Sequence, residues 1–125
     1  MTSQSLGPEQ RLRRRADFQR LREDGRSRAH PLLVIRVAPN GLPHTRYGVV
    51  VSKRVAPKAV DRNRLRRRLR EVLRRNPATP GWDILLIARG SAAHASFDDL
   101  RATTLELERR VGVRDGADRR EETGG

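Results

Sequence analysis

The chain has 125 residues, 34% of them charged, and a formal net charge of +13. This length supports one small domain with a single modest core, and it excludes two independent cores. The absence of cysteine excludes disulfides and thiolate metal sites, and the three histidines lack the paired spacing of a zinc site.

No segment of the sequence is typical of a membrane or secreted protein. No apolar run approaches the roughly 20 residues that a spanning helix needs, and the N-terminus lacks the apolar core of a signal peptide. We therefore expect a cytoplasmic protein. Its excess of positive charge should attract a polyanion, above all nucleic acid, through the release of counterions.

The N-terminal part of the chain predicts one helix after a disordered segment. Residues 1–8 show no periodic pattern and are expected to be disordered. Over residues 13–25 the spacing predicts a helix with Phe18 and Leu21 on one face. Gly25 is a suitable residue for the end of this helix.

Two strands are predicted next, over residues 32–38 and about residues 46–54. The turn-forming sequence PNGLP lies between them. We expect these two strands to pair antiparallel, with a register that the turn does not fix.

The second half of the chain predicts a helix, a strand and another helix. A basic helix begins near residue 59 or 61, and it must end before Pro77 because the residue before a proline is excluded from the helical region. The apolar run at residues 82–89 lacks alternation, so it is predicted to be a central strand that is buried on both faces.

The last helix begins with a recognisable cap. Ser96 can accept a hydrogen bond at its start, with Asp99 at the third helical position. Its buried side is predicted to comprise Leu100, Thr104, Leu107 and Val111. A single domain is thus predicted over residues 9–112, followed by a disordered polar tail at residues 113–125.

The basic helix carries nearly half of the excess charge of the chain. Residues 61–75 contain eight arginines against two acidic residues, which leaves a net charge of +6. At about 100° per residue, one apolar face of this helix should be buried. That face comprises Leu65, Leu69, Val72 and Leu73. The opposite side is a basic ridge of Asn63, Arg67, Arg70 and Arg74, flanked by Arg66 and Arg68.

A solvated surface and a binding surface are both possible interpretations of this ridge. Ordinary exposed helices alternate the two signs of charge, whereas the positive charge here is one-sided. Guanidinium groups match phosphate oxygens with two parallel hydrogen bonds. The pattern therefore favours a polyanionic partner.

Several short segments of the sequence form a specific combination. They are YGVVVSKR at residues 47–54, AV at residues 59–60, RNRLRRRLRE at residues 62–71 and DILLIAR at residues 83–89. They are preceded by Asp17 and Phe18 in the first helix. Each segment is a weak signal alone, but in their order and spacing they resemble the bacterial ribonuclease P protein subunit. The resemblance covers most of the chain outside its ends.

The resemblance implies an α/β (α+β) two-layer sandwich, ribosomal protein S5 domain 2-like, and the elements above give it the order α-β-β-α-β-α. The second strand, the basic helix and the third strand form a βαβ unit. A general rule predicts a right-handed crossover for such a unit. The family implies a left-handed βαβ crossover instead, and we adopt that expectation.

In function, the resemblance implies the accessory protein subunit of an endoribonuclease. Such a subunit binds the ribonuclease P RNA subunit and the 5′ leader of precursor tRNA, and it promotes Mg²⁺-dependent removal of the leader. The RNA subunit would hold Mg²⁺ and carry the hydrolysis itself. The protein is expected to be a monomer in a 1:1 ribonucleoprotein, without a membrane partner.

The family also implies two sets of binding residues. By residue-by-residue match, the RNA subunit is expected to contact Arg62, Asn63, Arg64, Arg67, Arg68 and Arg70, to which the ridge adds Arg66 and Arg74. The leader is expected in a groove formed by the sheet and the first helix. Its expected contacts are Phe18, Arg22, Arg36, Ser52, Lys53 and Arg54.

Aromatic residues are scarce for a groove that binds a single strand. Stacking platforms and cations hold single-stranded nucleic acid, but the chain has only four Phe, Tyr and Trp residues. We therefore expect the leader to depend more on Arg22 and Arg36. A core position remains the alternative for Phe18, and for Tyr47 and Trp82 a core or strand-end position is expected.

The sequence disfavours an autonomous protein nuclease. Two catalytic metal ions about 4 Å apart need a set of carboxylates, but Asp61 and Glu71 are separated by about 15 Å of helix and lie among arginines. Asp98 and Asp99 suit the positive N-terminus of the last helix. A ribosomal or RNA-chaperone protein and a sequence-specific DNA binder are the remaining alternatives, and substrate processing distinguishes them from the ribonuclease P subunit.

Overall fold

The computed structural model describes residues 10–12 and 14–114, and within them the chain forms a mixed sheet with helices on both faces. The elements in chain order are α1 (Arg15–Asp24), β1 (Arg26–Ala29), β2 (Leu33–Pro39), β3 (Arg46–Val50), α2 (Ala59–Arg75), β4 (Trp82–Ala88), a 3-10 helix (Gly90–His94) and α3 (Phe97–Val111). Within this described part, no helix is long and apolar enough to cross a membrane. The disorder predicted for residues 1–8, and for residues 115–125 of the tail predicted at residues 113–125, lies outside the described residues. The prediction is wrong for residues 113 and 114, which are packed against the domain.

The four strands lie in the order β1-β2-β4-β3. Strand β4 is antiparallel to β2 and parallel to β3, so the prediction of a central strand is confirmed. The prediction that β2 and β3 pair with each other is wrong, because the apolar β4 lies between them. An additional strand, β1, pairs antiparallel with β2 and gives the observed order α-β-β-β-α-β-α. The α+β class itself is confirmed.

The sequence does not predict β1 because the strand has no apolar pattern. All four of its residues, Arg26–Ala29, are exposed. Its backbone pairing with β2, rather than burial of its side chains, holds it in the sheet. A tight turn leads into β2, in which the amide of His30 donates to the carbonyl of Leu33 at 2.8 Å.

The larger core lies between the sheet and the helices α2 and α3. Successive side chains of a strand point to opposite faces, so alternate residues of β2 and β4 enter this core. They are Leu33, Ile35, Val37, Ile84, Leu86 and Ala88. The opposite face of the sheet carries a smaller cluster of Leu12, Leu21, Ala38 and Leu85, to which α1 contributes Leu21.

Gly25 ends α1, as predicted, but with an extended backbone of φ −78°. A Cβ at this position would collide with the carbonyl oxygen of Leu21 and would lie 3.0 Å from that of Val37. Glycine is therefore required by the close approach of α1 to β2, and not by a left-handed conformation.

Strand β3 ends at Val50, earlier than the predicted end at residue 54. The carbonyl of Ser52 accepts hydrogen bonds from the amides of Val55 and Ala56, each at 3.1 Å. The chain therefore turns directly after the strand, and residues 52–54 belong to this turn instead of the sheet.

The predicted ends of the later helices are confirmed. Helix α2 begins at Ala59 and ends at Arg75, before Pro77. Helix α3 is capped by Ser96, whose Oγ accepts a hydrogen bond from the Asp99 amide at 3.0 Å. The predicted inner residues Leu100, Thr104, Leu107 and Val111 are all buried.

The packed chain continues past α3. Val113 is fully buried, and its amide donates to the carbonyl of Glu108 at 3.0 Å while its carbonyl accepts from the Thr79 amide at 2.9 Å. Arg114 donates from Nε to Oε1 of Glu108 at 2.8 Å and also to the carbonyl of Pro77. These contacts tie the end of α3 to the connection between α2 and β4.

Candidate nucleic-acid interface

Helix α2 has the two faces that the sequence predicts. Its apolar residues Leu65, Leu69, Val72 and Leu73 are buried against the sheet and α3. On its outer side Asn63, Arg64, Arg67 and Arg68 are exposed, and Arg66 and Arg70 are half-buried. Burial of the apolar face thus orients these cations away from the core.

Among the predicted cations, Arg62 and Arg74 also support the local structure of the protein. Nη1 of Arg62 donates to the carbonyls of Ala56 and Pro57, at 3.1 and 2.9 Å, and so holds the turn before α2. Arg74 donates from Nε and Nη2 to the two carboxylate oxygens of Glu71. This hydrogen bonding lowers the pKa of Glu71. Arg62 and Arg74 therefore support the local structure as well as the charge of the helix.

Arg70 lies close to two other positive charges. Burial, followed by the charges of Arg11 and Arg66, lowers the pKa of Arg70. Arg66 donates to Oδ1 of Asn63 at 2.6 Å, but this neutral partner leaves its charge uncompensated. In the described part of the chain no carboxylate forms an ion pair with Arg66 or Arg70. A bound anion would relieve the mutual repulsion of these guanidinium groups.

The opposite face of the sheet carries a groove beside α1, with a cavity volume of about 200 Å³. The residues that line it are Phe18, Arg22, Arg36, Val50, Leu85 and Ile87. The structure thus brings Phe18 and Arg22 of α1 together with Arg36 of β2. One concave surface thus presents an aromatic ring and two guanidinium groups, and proteins that bind single-stranded nucleic acid combine aromatic and positively charged groups in this way.

Phe18 has both of the roles that the sequence allows, a core residue and a residue of the groove. It is half-buried and packs against the smaller cluster on this face of the sheet, and it also lines the groove. Val50 in the same groove is 39% exposed. The groove therefore retains apolar surface that a nucleobase can cover.

The other predicted leader contacts lie in the turn after β3. Ser52, Lys53 and Arg54 are exposed there, two to four residues beyond the groove residue Val50. Oγ of Ser52 accepts a hydrogen bond from the Val55 amide at 3.3 Å. The turn thus extends the basic surface from the strand that borders the groove.

The structure contains an ion-pair cluster around the buried Asp83 that was not predicted from the sequence. Asp83, in β4, is fully buried and accepts hydrogen bonds from Arg46 of β3, from Arg20 of α1 and from Asn40 after β2. Hydrogen bonding to Asp83 raises the pKa of Arg46. A signal for the cluster exists in the sequence, since an acidic residue at the start of a buried apolar strand needs partners.

This cluster fixes α1 on the sheet. Arg20 reaches Oδ2 of Asp83 at 2.5 Å, and Asp17, also in α1, lies 3.2 Å from Nη2 of Arg46. Phe18 follows Asp17 in the chain. The position of Phe18 over the groove therefore depends on the ion pairs that join α1 to the buried Asp83 and to Arg46.

Tyr47 and Trp82 have the structural positions expected from the sequence. Tyr47 is buried, and its hydroxyl accepts a hydrogen bond from the Ala78 amide at 3.1 Å. Trp82 is half-buried at the start of β4, with the guanidinium of Arg26 5.5 Å from its ring centre. Neither residue lines the groove beside α1.

The described residues do not fit a metal site held by the protein. Within residues 10–12 and 14–114, no group of three His, Asp or Glu side chains could hold a metal ion. The carboxylate of Asp83 is occupied by hydrogen bonds from Arg20, Arg46 and Asn40. Asp61 lies 3.8 Å from Arg64 at the surface.

Comparisons with known proteins agree on one protein family. A family model described as Ribonuclease P matches residues 6–112. The Ribonuclease P protein component of Roseiflexus castenholzii is 43% identical over 110 residues, which cover 86% of this chain and 89% of the relative. That of Herpetosiphon aurantiacus is 41% identical over 100 residues, which cover 78% of this chain and 80% of the relative.

Solved structures of the same kind share the fold. The RNase P protein of Staphylococcus aureus aligns with a TM-score of 0.77 and 29% identity, over 85% of this chain and 98% of that one. The RNase P protein of Thermotoga maritima aligns with a TM-score of 0.74 and 33% identity, over the same shares. The similarity therefore extends over the whole domain and is not limited to the basic helix.

Proposed function

The chain belongs to the ribonuclease P protein family, and from this premise we propose that it acts as the protein subunit of ribonuclease P. In this role it binds the catalytic RNA subunit and the 5′ leader of precursor tRNA. It promotes the Mg²⁺-dependent endonucleolytic removal of the leader, which produces the mature 5′ end of the tRNA.

The observation that carries this proposal is the presence of two basic surfaces on opposite faces of one sheet. Helix α2 packs on one face and presents its exposed arginines outward, whereas the groove with Phe18, Arg22 and Arg36 lies on the other face. A protein that binds one stretch of nucleic acid needs only one such surface. Two surfaces suit a protein that contacts an RNA subunit and a substrate leader at the same time.

The α2 surface is suited to a folded RNA. Its outer guanidinium groups, from Arg64 to Arg70, extend over about two turns of the helix. They can therefore follow phosphates that are spaced along a backbone. The exposed Asn63 adds a neutral donor and acceptor. Because Arg66 and Arg70 lack carboxylate partners in the described structure, an RNA phosphate is their natural counter-charge.

The groove is suited to the leader because the leader is single-stranded. An unpaired nucleotide can lay its base against Phe18 or Val50 and its phosphate against Arg22 or Arg36. Each stacked base is worth roughly 1–3 kcal/mol. A groove of this kind discriminates between a precursor tRNA and the mature tRNA that has lost its leader.

In this proposal the protein itself does not cleave the phosphodiester bond. Its described residues do not fit a Mg²⁺ site, so we assign Mg²⁺ mainly to phosphate groups of the RNA subunit. The arginines of α2 and of the groove reduce the repulsion between RNA subunit and substrate. The protein is assigned as a monomer in a 1:1 ribonucleoprotein, in the bacterial cytoplasm where tRNA is processed.

Complementation in bacteria tests this function. A strain in which the resident ribonuclease P protein can be depleted accumulates precursor tRNA with its leader. The chain is expressed in this strain together with its cognate RNA subunit, and the 5′ ends of the tRNAs are mapped by primer extension. We expect mature 5′ ends to reappear. Persistent leaders, despite a stably expressed chain, would contradict the proposal.

A further inference from the structure

A second cavity lies on the α2 side of the sheet, the face opposite to the leader groove. It is enclosed by the first turns of α2, the turn before this helix and the 3-10 helix, and its volume is about 310 Å³. Its apolar wall includes Ala56, Pro57 and Leu65. Ligand pockets in proteins span roughly 300–1,000 Å³, so this cavity is of a size for one small planar group.

The polar rim of this cavity is positively charged. Arg64 and Arg68, one helical turn apart, both line it and are exposed. Asp61 is the only carboxylate of the lining, and it lies 3.8 Å from Arg64 with both side chains about half exposed, an arrangement that contributes little in water. Within the described residues, Arg68 makes no side-chain hydrogen bond or ion pair. The rim is therefore free to bind an anion.

His94 gives the cavity a third feature. This exposed side chain belongs to the 3-10 helix and lines the cavity together with Ala93. Imidazole rings and guanidinium planes are common stacking partners for unpaired RNA bases. The apolar wall and the ring can hold a base, and the two guanidinium groups can bind its phosphate. A helical stretch of RNA, in contrast, keeps its bases stacked and out of reach.

We propose that this cavity binds one unpaired nucleotide of the RNA subunit. The base enters between the apolar wall and His94, and its phosphate is bound by Arg64 and Arg68. This inference rests on the proposed function, because it assigns the RNA subunit to the α2 face. It adds a specific contact: α2 recognises an extruded nucleotide as well as the charge of the RNA backbone.

The test fills the cavity without removing any charge. In Ala93→Trp a large side chain competes with the base, and both rim arginines remain. Ala102→Trp, at an exposed position of α3, is the matched control. The dissociation constant for the ribonuclease P RNA is measured, and the accessibility of each RNA base is mapped by chemical probing.

The wild-type chain is expected to protect one unpaired base, and Ala93→Trp is expected to expose that base again and to weaken binding about tenfold, as for the loss of one stacked base. Ala102→Trp should leave both readouts unchanged. Unchanged affinity and unchanged protections in Ala93→Trp overturn the inference alone. A wild-type chain that does not bind the RNA overturns the proposed function as well.

A second variant keeps the test decisive if Ala93→Trp does not fold. His94→Ala removes an exposed ring and leaves the core intact. It should weaken protection of the same base while the other protections persist. Full protection of that base in a folded His94→Ala variant would exclude His94 from the site and would contradict the inference.

Discussion

Arg46 donates two parallel hydrogen bonds to Asp83, from Nε to Oδ1 and from Nη2 to Oδ2, each of 2.8 Å. Asp83 is fully buried, and Arg20 of α1 reaches the same carboxylate. The pair therefore joins the two neighbouring parallel strands to the helix that borders the leader groove. Both the stability of the domain and the shape of the groove depend on it.

Asp83→Ala is expected to destabilise the domain by about 3 kcal/mol, at the lower end of the range for a broken buried ion pair. The lower end applies because Arg20, with 34% of its side chain exposed, can reach water when its partner is removed. Urea unfolding measures the change. Asp24→Ala, at an exposed acidic residue at the end of α1, should change the free energy of unfolding by no more than about 0.5 kcal/mol. Equal stability of Asp83→Ala and the wild type would show that the cluster is not a structural anchor.

Phe18→Ala should weaken the binding of precursor tRNA to the holoenzyme about tenfold, through the loss of one stacking platform. Binding of mature tRNA should not change, because mature tRNA has no leader. Phe97→Ala is the matched control. Phe97 is also half-buried, but it lies at the start of α3, where its ring contacts the guanidinium of Arg75 at the end of α2. Equal losses for precursor and mature tRNA would remove Phe18 from the leader site.

Replacing both Arg67 and Arg70 by Gln should weaken binding to the RNA subunit and lower the slope of log affinity against log salt by about 1 for each phosphate that the variant no longer neutralises. The free energy of unfolding should be unchanged or slightly higher, because the charge of Arg70 is repelled by Arg11 and Arg66 in the free protein. Titration with the RNA at several salt concentrations measures the slope. Arg101→Gln, at an exposed residue of α3, should have no effect on it.

An unchanged salt slope in the Arg67 and Arg70 double variant would show that these guanidinium groups do not replace counterions on the RNA. The α2 surface would then be a solvated face. That outcome would also remove the structural basis for placing the RNA subunit on this side of the sheet.

Glu108 should make the stability of the domain depend on pH. Burial raises the pKa of Glu108 to about 7, although Arg114 donates to its Oε1 at 2.8 Å. Its Oε2 has no hydrogen-bond partner in the described structure. The carboxyl group of Glu108 therefore keeps its proton in the folded state up to about pH 7, whereas in the unfolded chain it releases the proton near its ordinary pKa of 4.5. Stability is thus greatest below pH 4.5 and falls as the pH rises through about 7.

The expected loss of stability between about pH 5 and pH 8 is roughly 3 kcal/mol. Thermal or urea unfolding over this range measures it. Glu108→Gln should flatten the profile, since a neutral amide occupies the same site at every pH. If the profile of this variant keeps the slope of the wild type, Glu108 is not the titrating group.

The local signals of the sequence were sufficient for the helices and for the central strand. Proline and serine mark the ends of α2 and the start of α3, and the uninterrupted apolar run at β4 indicates burial on both faces. The pairing of the strands could not be obtained in this way. It depends on contacts between β2 and β4 that are distant in the chain, and β1 lacks any apolar pattern.

The candidate sites also include residues that the sequence predicts and residues whose roles only the structure reveals. Phe18, Arg22 and Arg36 were predicted as leader contacts, and the structure places them together in one groove. The anchor beneath them was not predicted, because Asp83 meets Arg20 and Arg46 only after the chain has folded. Arg62 was expected to contact RNA, but its contacts with the preceding turn become visible only in the structure.

The most direct test of the account is multiple-turnover cleavage of a precursor tRNA by the cognate ribonuclease P RNA at low Mg²⁺, with and without this chain. We predict that the chain increases the turnover rate and that cleavage occurs at the mature 5′ end. A chain that binds the RNA but leaves both the rate and the cleavage site unchanged would contradict the account. A ribosomal or RNA-chaperone function would then explain the basic surfaces better.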